Sequence, residues 1–140
     1  MSWDAVTALA TVALAIGVPF TLIFQWKGTN RALREARYAQ YVTRYQEIFS
    51  NLPYNIFAEG NNISQVDEKT KVWLVTYIDL CAEELFDYRR GSIAKQVWED
   101  WAEFIASDFK RSSPLRDVFN EVKGDYRQLN DFLNELRALS

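Results

Sequence analysis

Three carboxylates stand four residues apart, Asp79, Glu83 and Asp87. On a helix that spacing puts them on one face. Such a row could offer hard oxygen ligands to a divalent cation, or it could be a solvated acidic stripe that holds nothing. Two other carboxylates, Glu84 and Asp108, fall inside helical arcs that are otherwise apolar. A carboxylate placed there must be paired, hydrogen-bonded or protonated. At 100° per residue Glu84 lies between Trp73 and Tyr77, so Tyr77, Glu84 and Asp108 are the candidate pocket or buried polar group. One reading is a core ion pair or a phenol–carboxyl hydrogen bond that uses Arg44, Arg89 or a tyrosine of the first helix after the anchor. The other is a ligand pocket between helices.

Most catalytic constellations need residues this chain lacks. It has no histidine, hence no His-based triad and no imidazole general base. No glycine-rich phosphate loop or dinucleotide fingerprint occurs. The single cysteine, Cys81, sits amid an apolar arc and reads as a small buried hydrophobe, and one cysteine forms no internal disulfide. No catalytic, cofactor-binding or metal-ligating residue is therefore nominated, no cofactor is expected, and the chain is not expected to be an enzyme. The formal charge is −3. Residues 27–50 carry five basic side chains against two acidic ones, whereas from residue 51 onward eleven basic face sixteen acidic. That acidic remainder argues against nucleic acid as a partner.

The elements that must position these groups start from residues 5–26, AVTALATVALAIGVPFTLIFQW, with no formal charge. A helix of this length spans roughly 33 Å, enough for the hydrocarbon core of a bilayer. Trp3 and Trp26 bracket it as interfacial anchors. Lys27, Arg31, Arg34 and Arg37 follow at once, which predicts a cytoplasmic C-terminal domain and an N-terminus outside. The same basic neck suits anionic membrane lipids. Pro19 predicts a kink, and Ala13, Gly17 and Thr21 form a small-residue row on which a second helix could pack closely.

The chain then divides into a transmembrane anchor (1–26), a basic juxtamembrane helix that opens the bundle (27–50), a loop (51–64) and three further helices (65–140). In the first, Tyr38, Tyr41, Tyr45, Ile48 and Leu52 repeat with three-four spacing. Pro53 ends it, and Tyr54, Ile56 and Phe57 suggest that part of the loop folds back. Ser64 with Asp67 resembles a capping box for the second helix, which Gly91 stops. Ser92 is expected to cap a third helix to about Lys110, and Ser113-Pro114 to open a fourth that continues to the end, with Gly124 as a mild defect. The fold class expected is all-α: one N-terminal transmembrane helix followed by a four-helix cytoplasmic bundle without strands.

The run Tyr77-x6-Glu84, followed by Gly91-x-Ile93-x4-Trp98-x2-Trp101, resembles a pattern in uncharacterised bacterial single-span membrane proteins with a small C-terminal helical domain. The resemblance implies a bacterial inner-membrane location and brings no activity with it. The function expected is a membrane-tethered protein-interaction module, as an accessory subunit of a larger membrane complex. The alternative is an oligomeric membrane effector, whose cytoplasmic domain senses a ligand or partner and rearranges the transmembrane helices. Partners would be membrane lipids and a protein, either another chain or a second copy in a homo-oligomer.

Overall fold

The computed structural model describes Gly28 and residues 30–58 and 66–138. The described residues are all helical or in turns and hold no strand. The chain divides into two compact units, Met1–Arg37 and Tyr38–Ser140. In the first, the described residues form the start of a helix, with an exposed Arg31–Glu35 ion pair at 2.9 Å. The stretch 5–26 lies outside the described residues, as do Trp3, Ala13, Gly17, Thr21, Trp26 and Lys27. Among those described, no helix is long and apolar enough to cross a membrane.

Residues 30–51 are helical and form α1. Leu52 closes the last turn onto the Ile48 carbonyl, and Pro53, with no N–H, cannot continue it. A short turn follows, closed by Ile56 N–H to the Pro53 carbonyl at 2.9 Å. Ile56 is buried there, but Tyr54 is 100% exposed, so only part of the loop folds back.

The second helix, α2, runs Glu68–Arg89. Its cap is Asp67, whose carboxylate accepts from the Thr70 N–H at 2.6 Å; Ser64, expected to open a capping box, lies outside the described residues. Buried residues from Leu74 to Asp87 cover about half of its circumference, because α2 packs against α3, α4 and α5. It ends in a Schellman motif: Gly91, at φ 75°, donates to Tyr88 and Ser92 donates to Asp87. That motif uses the backbone of Ser92 to finish α2, so Ser92 does not cap the next helix.

The third helix, α3, spans Lys95–Arg111 with Ala94 at its N-cap and no side-chain cap. Trp98, near its start, stacks on Tyr88 at 5.0 Å and tilts against Phe132 at 5.4 Å, closing the corner. The fourth, α4, spans Ser113–Val122, capped by Ser112 rather than Ser113. The fully buried Ser112 hydroxyl accepts from Leu115 N–H and donates to the Ile56 carbonyl at 2.7 Å, fixing the loop onto the α3–α4 junction.

The expected fourth helix is in fact two. It breaks at Lys123–Asp125, and α5 resumes over Arg127–Ala138. Gly124 and Asp125 are poor helix formers, and the break is closed by short-range bonds, Asp125 N–H to Val122 and Tyr126 N–H to Lys123. The described residues therefore form five helices rather than four.

Candidate functional site

The site grows from the way α1 lies on α2. Tyr41 donates to Asp87 at 2.6 Å, Arg44 makes a two-pronged pair with Glu83, and Tyr45 donates to Glu84 at 2.9 Å. Further along, Phe49 meets the Tyr77 ring edge-on at 5.8 Å. Numbers rise on one helix as they fall on the other, so the pair is antiparallel. Within little more than one turn, Tyr41 to Tyr45, α1 thus presents two phenols and a guanidinium to carboxylates of α2. The three-four spacing of Tyr38, Tyr41 and Tyr45 is what turns these groups to one side.

A third phenol–carboxyl pair joins α2 to α3. Tyr77, fully buried, donates to Asp108 at 2.7 Å, and Arg111 reaches the other oxygen of Asp108 at 3.1 Å. It meets the Tyr45–Glu84 pair through the rings: Tyr45 and Tyr77 lie edge to face at 6.0 Å, and Phe57 packs on Tyr77 at 5.5 Å. Phe49 in turn stacks on Phe57 at 5.1 Å. Tyr77, Glu84 and Asp108 are therefore brought into one buried cluster. A fourth pair, Tyr126 to Asp79, ties the start of α5 to α2.

The electrostatics separate these groups. Burial pushes the Glu84 carboxyl up to about 8, against the opposing pull of the Tyr45 hydroxyl and Arg44. The residue is 0% exposed, and its Oε1 atom has no hydrogen-bond partner among the described residues. A carboxyl in that position is neutral at pH 7. Burial also raises Asp108, while Tyr77 and Arg111 hold it down. The phenols of Tyr41, Tyr45 and Tyr77 are raised, again by burial first, and Tyr126 is pushed up to about 12. All four keep their protons and act as donors. Burial raises the Cys81 thiol as well, which removes the thiolate that nucleophilic chemistry needs.

The acidic row is solvated in part: Glu83 is exposed and Asp79 half-buried, whereas Asp87 is covered. Asp87 is only 6% exposed because α1 covers it, and Asp79, Glu83 and Asp87 go to three different partners. Among the described residues no group of three or more Cys, Asp or Glu is arranged to hold a metal ion. Of the partners suggested by sequence, a tyrosine of α1 does reach Glu84. Arg44 instead takes Glu83, and Arg89 takes Gln128 at 2.9 Å. Arg111 was missed. Its i, i+3 spacing from Asp108 is the sequence signal that could have found it.

Two surface features complete the inventory. An open groove of about 750 Å³ lies between α3, α4 and α5, floored by Phe109, Leu133 and Leu136, and none of Tyr77, Glu84 or Asp108 lines it. Arg116 on its rim donates to the carbonyls of Phe109 and Lys110 and so closes the end of α3. Elsewhere Tyr38 stacks on Trp101 at 5.7 Å, Tyr41 meets the same ring edge-on, and Phe104, one turn further along α3, is 66% exposed. No family model, curated protein or solved structure matches the chain.

Proposed function

We propose that the chain is a membrane-tethered helical protein-interaction module, an accessory subunit of a larger membrane complex. Residues 5–26 would be its single span, with the N-terminus outside and the helical domain on the cytoplasmic face of a bacterial inner membrane. The uncharged run between Trp3 and Trp26, and the basic side chains Lys27, Arg31, Arg34 and Arg37 behind it, support the tether. The observation that carries the interaction is the exposed aromatic surface of Tyr38, stacked on the half-buried Trp101, and of Phe104 one turn further along α3. Open aromatic surface of this kind is characteristic of protein contact sites.

The test is native mass spectrometry of the full chain, gently extracted from membranes. A stoichiometric complex with a different, larger protein supports the reading, and Phe104→Glu should dissolve it without changing the helical content of the domain. A monomer overturns it. The row Ala13, Gly17 and Thr21 favours a second reading, an oligomeric membrane effector whose spans rearrange when the domain binds a ligand or partner. A closed homo-oligomer that Gly17→Leu abolishes would select that one.

A further inference from the structure

The α1–α2 seam has two unlike ends. Between Tyr41 and Tyr45 it is held by three polar ties, to Asp87, Glu83 and Glu84. Beyond them Ile48, Leu52 and Ile56 are buried apolar side chains, and the Ile56 carbonyl is fastened by Ser112. Water can replace a phenol or a guanidinium as a partner of a carboxylate. It cannot replace the burial of Ile48 or Ile56. The polar end is therefore the end that can open while the apolar end stays in place.

One group at the polar end is incomplete. Glu84 is fully buried, Tyr45 serves its Oε2 atom, and none of the described residues serves its Oε1 atom. With a proton on Oε1 the group is neutral and tolerates its surroundings. Without the proton a negative charge sits on an oxygen that no donor reaches, which is among the most unfavourable arrangements a protein interior can hold. We propose that the middle of α1, from Tyr38 to about Tyr45, is a proton-controlled joint: while the Glu84 carboxyl keeps its proton this segment is docked on α2, and loss of that proton releases it while α2 to α4 remain folded.

The other charges around Glu84 do not remove this behaviour. From α1 it faces Arg44, which is already engaged by Glu83, and the neutral Tyr45 phenol. On α2 Glu83 adds like charge and Cys81 is a neutral thiol. From α3 Asp108 reaches the same ring cluster, but both of its oxygens are occupied, by Tyr77 and Arg111. The polar contacts of α4 and α5 with α2 fall elsewhere, at Lys71–Glu121, Tyr126–Asp79 and Arg89–Gln128.

The direction follows from linkage. Docked, the carboxyl holds its proton up to about pH 8. Released into water it would lose the proton near the ordinary value of about 4.3. Docking is thus unopposed below that ordinary value, weakens as pH rises through the interval, and weakens no further above about 8. Across the interval the opening equilibrium grows by up to about tenfold per pH unit.

The joint is tested by hydrogen exchange of the full chain in lipid nanodiscs from pH 5 to 9, native against Glu84→Gln. Comparing the two at each pH cancels the intrinsic chemistry of exchange. The expected result is a native-to-variant ratio in residues 38–45 that rises at least tenfold between pH 5 and 8 and then levels off, while at pH 8 residues 38–45 of the native chain are at least tenfold less protected than α3 and α4. A ratio that is constant with pH overturns the proposal. So does equal protection of residues 38–45, α3 and α4 at pH 8, since Glu84 would then burden the whole domain and not a joint. Tyr45→Phe offers a second reading of the same point: it keeps Glu84 and loses the tie, so residues 38–45 should exchange faster than native at pH 5 and still respond to pH. Asp108→Asn should retain the native profile, and a flat profile there would assign the proton to Asp108 and sink the proposal.

Discussion

Glu84 and Asp108 make a controlled comparison within one molecule. Each is a carboxyl set into an apolar helical face, each is buried, and each accepts from a tyrosine of another helix. At the α2–α3 seam a second donor, Arg111, completes Asp108. At the α1–α2 seam no second donor arrives from the described residues, and one oxygen of Glu84 has no partner among them. Burial alone therefore does not decide whether an acidic group fastens a fold or loads it. What decides is how many of its lone pairs find a donor, and whether one donor carries charge. The α2–α3 seam is a fixed tie, whereas the α1–α2 seam carries a group that titrates near neutrality.

The largest effect should come from the ring that joins both seams. Tyr77→Ala removes a fully buried phenol, its bond to Asp108 and its contacts with Tyr45, Phe49 and Phe57. A loss of about 3–5 kcal/mol is expected in chemical denaturation, and a loss under about 1 kcal/mol would mean that the two seams are not coupled through it.

Replacing each carboxyl by its amide then separates the seams by size. Glu84→Gln should stabilise the domain at pH 7, by up to about 3 kcal/mol, because folding no longer has to take up a proton. The sign is fixed by the raised value of Glu84: stability is whole below the ordinary carboxyl value and declines as pH climbs to about 8. The variant and the native chain should therefore converge near pH 4.5 in the same denaturation series. Asp108 is raised in the same direction, but Tyr77 and Arg111 hold it down, so Asp108→Asn should gain less at pH 7 than Glu84→Gln in that series.

The smallest effect is expected at the outer pair. Arg44 and Glu83 are partly exposed, so Arg44→Met should change stability by less than about 1 kcal/mol. It should nonetheless move Glu84 upward, because Arg44 favours the ionised form. A downward move in a carboxyl titration would show that the guanidinium does not act on Glu84.

The sequence carried the inward placement of Glu84 and Asp108, because 100° spacing puts both among aromatic and aliphatic neighbours. It did not carry their partners. Asp79, Glu83 and Asp87 share a polar-looking stripe, and only the docking of α1 decides that Asp87 is covered. Local rules also gave degenerate answers at the helix ends. Asp67 fits the third position of a capping box as well as it fits a cap, and Ser112 and Ser113 are equivalent until the Ile56 carbonyl selects one. Gly124 reads as a tolerable defect on a continuous apolar stripe. The break there lets Tyr126 reach Asp79, a contact far apart in sequence. Non-local contacts of this sort leave no periodic signal.

Everything at the α1–α2 seam turns on Glu84 being neutral when the domain is folded at pH 7. The direct measurement is a carbon-13 NMR titration of the glutamate carboxyls in the full chain, with Glu84→Gln to assign the resonance. One glutamate is expected to titrate near pH 8 and to disappear in the variant. A spectrum in which every glutamate titrates below pH 5 would contradict it.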